Sequence, residues 1–308
     1  MADLTPANAV QSKTPLKTYP NTYPNTPRRT PPKIFVAGCP RSGTTWIANM
    51  IGRHPDVVKI EGESHLYKLI YDPFTYLKSM PLRKRLERRS WILKHYGPTP
   101  ILTGFNSNNL WNGLLRTYRF YKWSGKSSGP HMAIDYDNFK ALVRKIRAGK
   151  GDDLSKVTRL IESIFDSSFY ALGGDYRQTM LEKTPMHIKF ANTILQSFPE
   201  AKMVEVVRDI RSICASWQAR AKTQRWARRP TTDLIAQWIR CIEAGDRAAL
   251  PQGDRTALRK ENRIIRLKYE DFRQSPHTWL GNTFDFAELP TNSDQISEIV
   301  DALSIEKV

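Results

Sequence analysis

The stretch Val36-Ala37-Gly38-Cys39-Pro40-Arg41-Ser42-Gly43-Thr44-Thr45-Trp46-Ile47 sets an apolar strand, a glycine-containing turn and a helix start in immediate succession. That layout makes a phosphate-binding loop. Glycine lets backbone N–H groups approach an anion closely, and the following helix adds the partial positive charge of its N-terminus. Gly38 and Gly43 have Walker A spacing, yet Thr44 stands where G-x-x-x-x-G-K-[ST] places its lysine. The cation, Arg41, comes two residues before the second glycine instead.

Outward from this loop, Lys33 to Ala37 reads as a short strand, and Trp46, Ile47, Met50 and Ile51 are spaced for one face of a helix that His54-Pro55-Asp56 ends. Val57 to Ile60 predicts a second strand. Its end carries Glu61-Gly62-Glu63-Ser64-His65 to a strand's carboxyl edge, where open α/β sheets bind ligands. From Leu66 to about Gly174 the pattern is mainly helical, broken by a Gly/Pro/Ser/Asn-rich stretch from Gly97 to Pro130 that carries Phe105, Trp111, Tyr118, Phe120, Tyr121 and Trp123. An interruption of that length suits an active-site lid or substrate wall, or a surface excursion with buried aromatic anchors. Alternation then resumes: a strand over Lys202 to Val207, helices over Asp209 to about Arg225 and Thr232 to Leu250, and a strand over Arg263 to Lys268. Such alternation predicts a parallel sheet with crossover helices.

The chain has 308 residues and 40% hydrophobic content, enough for one large α/β domain or two small ones. Forty-eight Lys+Arg against 30 Asp+Glu give a formal charge of +18, which favours anionic partners: nucleotides, acidic glycans, anionic lipid or nucleic acid. Cys39, Cys214 and Cys241 are few and widely spaced, so neither a disulfide framework nor a zinc site is indicated. Residues 1–32 are rich in Pro, Thr, Asn and Lys and read as a flexible tail, with a single domain over 33–308. No signal-peptide pattern or run of about 18 apolar residues is present, and the expectation is a soluble, cytoplasmic protein.

Arg208 follows the 202–207 strand directly, at a carboxyl end, and Ser216 lies eight residues on. Eight residues are about 2.2 helical turns, so the two share a face only if the strand-to-helix turn redirects the arginine. A guanidinium offers bidentate hydrogen bonds to phosphate and a serine hydroxyl can add another.

Four ordered motifs then carry a resemblance that runs from about Lys33 to Lys307. They are Pro40-Arg41-Ser42-Gly43-Thr44-Thr45-Trp46, Glu182-Lys183-Thr184-Pro185, Val207-Arg208-Asp209 through Ser216-Trp217, and Leu267-Lys268-Tyr269-Glu270-Asp271-Phe272. The chain resembles the sulfotransferases that use 3′-phosphoadenosine 5′-phosphosulfate (PAPS). The resemblance implies a P-loop-like three-layer α/β/α fold with a central parallel sheet, in which residues 66–174 form a mainly helical acceptor-side insertion. It implies that Arg41 contacts the 5′-phosphosulfate, that Ser42, Gly43, Thr44 and Thr45 cradle the 5′-phosphate, and that Trp46 stacks on adenine. Arg208 and Ser216 would bind the 3′-phosphate, Tyr269 would reach the adenine edge, and Lys183 would approach the transferring sulfonate. No metal is required by such chemistry.

Sulfuryl transfer needs a base for the acceptor and positive charge around the leaving group. Glu63 lies 22 residues after Arg41, where sulfotransferases of the tyrosylprotein and many bacterial types place a glutamate base. His65 is the rival, since histidine serves the cytosolic branch after a different motif, and Glu61 could also face the cleft. The competing structural reading has the acidic pair and Ser64 capping a helix that starts near His65, and Lys183 preceding a helix with Thr184 as N-cap and Pro185 at its first position. His187 has no role in the resemblance and reads as structural.

Two other functions remain open at this level. A P-loop kinase would share the loop, and the Arg220 to Arg229 stretch, with Lys222, Arg225 and Arg228 around Trp226, could form a nucleic-acid patch, a solvated helix end or a basic rim for an acidic acceptor. One departure from the family pattern concerns the C-terminus. The segment Ile296-Ser297-Glu298-Ile299-Val300 through Ile305-Glu306-Lys307 is commonly followed by a basic, glycine-containing stretch, whereas this sequence ends at Val308. A truncated form, or basic residues supplied from 220–229, would account for that. The acceptor could be a glycan, a small molecule such as a phenol, a lipid headgroup reached by peripheral membrane contact, or a peptide.

Overall fold

A computed structural model describes residues 30–249 and 263–303. The tail expected over 1–32 falls, up to residue 29, outside the described residues, as do Ile305, Glu306 and Lys307. The described chain builds one five-stranded sheet, all parallel, in the order β2-β3-β1-β4-β5. The strands are β1 (Lys33–Gly38), β2 (Val57–Lys59), β3 (Thr179–Lys183), β4 (Lys202–Val207) and β5 (Ile264–Lys268).

Every residue of β1 is buried, because it sits mid-sheet with helices on both faces. Its side chains alternate between two cores. Ile34 and Val36 pack with Ile47, Met50 and Phe284, whereas Phe35 and Ala37 join Phe165, Phe198 and Met203 on the other side. Those two cores make the three-layer α/β/α architecture expected from the sequence. Parallel pairing also sets the strand ends level, with Val36 opposite Lys183 and Gly38 opposite Val206. Gly38 is needed there, since a Cβ would stand 2.2 Å from the Val206 carbonyl oxygen.

Helix α1 (Thr44–Ile51) follows the loop, with Gly43 in a left-handed conformation (φ 98°) at its N-cap. Between β2 and β3 the chain is mainly helical, as expected, but the supposed long interruption at Gly97–Pro130 is not one. Helices Thr99–Thr103 and Ser107–Trp123 occupy most of it. The Asn residues that suggested a loop instead cap: Asn106 and Asn109 form a reciprocal capping box. Leu110, Trp111, Leu114 and Tyr118 then share one buried face, and Gly113 marks close packing, since a Cβ there would meet the Tyr96 ring at 2.2 Å. Tyr118 and Phe105 are thus core residues, while Trp123 is 79% exposed. The helix expected from Asp209 to about Arg225 stops at Ala221, and a short turn of helix, Arg225–Ala227, follows. No helix among the described residues is long and apolar enough to cross a membrane.

Candidate active site

All five strands deliver their carboxyl ends to one edge, and the sequence-predicted site residues lie at or after such ends, Ser216 within the helix Ile210–Ala221 that follows β4. The chain leaves β1 toward β2 and later crosses to β4 on the other side, so the order reverses between β1 and β4, the position where open α/β sheets bind ligands. A cavity of about 1010 Å³ opens there. Arg41, Gly43, Thr44, Thr45, Trp46, Arg208 and Ser216 line one part of it, and Glu63 and His65 another.

On the cationic side, Arg41 links the two halves that the sequence left separate. Its Nε donates to Ser216 Oγ at 2.9 Å, and its carbonyl oxygen accepts from Arg208 Nη1 at 3.3 Å. Arg208 and Ser216 therefore meet through Arg41 rather than directly. The Arg208 guanidinium lies 4.2 Å over the Tyr269 ring, which also packs against Gly43 so closely that a Cβ there would collide with it. Trp46 stands edge-on to Tyr269 and Phe272, and its Nε1 donates to the Leu303 carbonyl at 2.8 Å. Burial, then the charges of Arg220 and Arg208, push the Arg41 guanidinium below its ordinary pKa. Its backbone is left-handed (φ 78°), a conformation that costs a non-glycine residue about 1–3 kcal/mol. Ser42 Oγ and Arg208 Nε are buried with no partner among the described residues.

On the carboxylate side, Lys183 Nζ donates to Glu63 Oε1 at 2.9 Å and His65 Nε2 lies 3.1 Å from Glu63 Oε2. Burial alone would raise the Glu63 pKa. The His65 hydrogen bond and the Lys183 charge outweigh it and hold the carboxyl at about 2. Glu61, the other acidic candidate, points to solvent and pairs with Lys59 at 3.1 Å.

Beneath this pair lies a buried network. Glu182 accepts from Ser64 Oγ and Thr184 Oγ1, both at 2.6 Å, and its second oxygen is 2.9 Å from His187 Nδ1. Burial would push the carboxyl up, but the His187 charge and these hydrogen bonds bring it below its ordinary value. The capping reading of Ser64 fails, because its hydroxyl is spent on Glu182. Thr184 does precede the short helix Pro185–Phe190, yet its hydroxyl likewise turns to Glu182 instead of capping. His187 is fully buried and structural, as expected. Ser64→Ala should lower stability by about 2 kcal/mol, the scale of a hydrogen bond to a buried charge. A urea unfolding midpoint unchanged from the parent would contradict this.

Sequence reasoning did not single out Lys68, Lys126, Ser127 or Ser128, which also line the cavity. They sit on helical turns and loop ends without a motif, so only the tertiary arrangement brings them in. Arg220, Gln224, Trp226 and Arg229 of the Arg220–Arg229 stretch all border the cavity.

The chain belongs to the sulfotransferase family, whose family model matches residues 32–293. Similar solved structures include the sulfotransferase domain from the curacin biosynthetic pathway, with 18% identity over 87% of this chain and 77% of that one, TM-score 0.45. A sulfotransferase of Mycobacterium tuberculosis matches at 14% identity over 90% and 72%, TM-score 0.48. Retinol dehydratase, solved with androsterone and the inactive cofactor PAP, matches at 16% identity over 89% and 65%, TM-score 0.34. No curated protein matches the chain.

Proposed function

We propose that this chain transfers a sulfuryl group from PAPS to a hydroxyl or amine of an acceptor. The observation that carries this reading is one cavity lined both by Arg41, Arg208 and Arg220 and by Glu63, a carboxylate held by Lys183 and His65. An Arg41 guanidinium depressed by burial and by the charges of Arg220 and Arg208, with Ser42 Oγ and Arg208 Nε buried and without a partner among the described residues, fits a ligand that brings negative charge and acceptor oxygens. Thr44 in place of a Walker lysine favours this ligand over a kinase's ATP.

PAPS would supply the sulfuryl group and leave as adenosine 3′,5′-bisphosphate (PAP). Arg41 and the first N–H groups of α1 would bind its 5′ side, since those N–H groups have no partner within the helix. Arg208 and Ser216 would hold the 3′-phosphate, with Trp46 and Tyr269 at the adenine. Glu63 would take the acceptor proton on a carboxylate oxygen, and His65 would fix the other oxygen. Lys183 Nζ would offset negative charge next to that proton transfer. The unpaired Cys39, Cys214 and Cys241 suit a reducing, cytoplasmic setting.

Thermal shift separates the readings. PAP at about 100 times its Kd should stabilise the protein by about 2.7 kcal/mol, and AMP or Mg²⁺-ATP at the same concentration by much less. A larger shift with Mg²⁺-ATP than with PAP would overturn the sulfuryl-transfer reading.

A further inference from the structure

Lys68 and Lys126 share the cavity with Glu63, on elements fixed to it. Lys68 lies on the wide helical turn Tyr67–Tyr71, which runs on from His65 through a hydrogen bond from the Leu69 N–H to the His65 carbonyl at 2.9 Å. Lys126 lies in the turn after helix Ser107–Trp123. That turn is joined to Glu63 itself, whose N–H donates to the Ser127 carbonyl at 3.4 Å and whose carbonyl accepts from the Gly129 N–H at 2.7 Å.

The two lysines line the cavity without a carboxylate of their own. Neither makes an ion pair among the described residues. The acids whose charge reaches Lys68 are Asp72 and Glu63, and Glu63 is committed to Lys183 and His65. Asp72 in turn feels Lys189 and Arg88 as well as Lys68. Burial, together with the like charges of Lys189 and Lys126, depresses the Lys68 ammonium. A ligand with negative charge relieves this repulsion, whereas a neutral one leaves it in place. Tyr121 and Met186 line the same part of the cavity and offer surface to a carbon framework.

We propose that the acceptor carries an anionic group, a carboxylate, sulfate or phosphate, which Lys68 and Lys126 bind beside the hydroxyl or amine that faces Glu63. This rests on the reading of Glu63 as the acceptor base. Lysine suits the task as a compact charge on a flexible stem that accepts several anion geometries.

The test uses a matched pair, 4-nitrophenyl β-D-glucuronide and 4-nitrophenyl β-D-glucoside, which differ by a carboxylate against a hydroxymethyl group. Calorimetric titration, with and without PAP, should show the glucuronide bound at least about tenfold more tightly, the low end of what one charge-assisted contact contributes. Lys68→Met with Lys126→Met should erase that preference, and Lys145→Met, on an exposed helix position away from the cavity, should keep it. Equal binding of the two glycosides, binding of neither, or a preference that survives the double substitution overturns the proposal. Failure of PAP to bind would sink the sulfuryl-transfer reading alone, because the titrations without PAP still decide whether the lysines select an anion.

Discussion

Glu63→Gln should cut turnover by about a thousandfold, within the range that a positioned general base supplies, while leaving the Kd for PAP within about threefold. The substitution keeps the shape and removes the site that receives the proton. Nucleotide binding should survive, since Arg41, Arg208 and Ser216 form a separate hydrogen-bonded set. Near-parental activity would pass the role to His65, whose Nε2 is 3.1 Å away. The pH dependence adds a second readout. In the free enzyme Glu63 titrates at about 2, so its acid limb in kcat/KM should fall below the usual carboxylate range. An anionic co-substrate beside Lys183 competes for that ammonium and raises the carboxyl pKa, so the limb in kcat should lie at higher pH. Stability follows the same carboxyl. A carboxyl depressed on folding contributes stability above its unfolded pKa of about 4.3, and that contribution is lost as pH falls toward 2. The stability gap between parent and Glu63→Gln should therefore shrink between pH 6 and pH 3.

Arg208→Ala should weaken PAP binding by about a hundredfold and AMP binding by less than about fivefold, because the lost contacts are charge-assisted bonds to the 3′-phosphate. Its guanidinium already lies over Tyr269, with Nε buried and without a partner among the described residues, so little ordering remains to be done on binding. Equal losses for PAP and AMP would show that Arg208 acts by holding the loop through the Arg41 carbonyl, at 3.3 Å, and not by reading the 3′ position.

The legible part of this protein was its loop and the strand ends. The apolar run Ile34–Ala37 of β1, followed by Gly38 and Arg41, marked the loop, and β4 and β5 announced themselves by runs of Val, Ile and Leu. β3 was hidden, because Thr179-Met180-Leu181-Glu182-Lys183 carries two charges for reasons of chemistry: Glu182 ties down Ser64 and His187, and Lys183 meets Glu63. Its motif was visible while its strand was not. Helix Ser107–Trp123 was hidden by Asn and Gly residues that act as a cap and a packing notch. In the site, the residues gathered by motif came together, although the Arg41–Ser216 hydrogen bond depends on how the chain turns after β4, which spacing alone left open.

The two backbone hydrogen bonds between Glu63 and the 127–129 segment have an evolutionary consequence. Backbone pairing tolerates nearly any side chain, so the turn that carries Lys126 can drift in sequence without shifting the carboxylate it is stitched to. On the proposed reading, point changes on that turn would alter the choice of acceptor while the carboxylate proposed as base keeps its place.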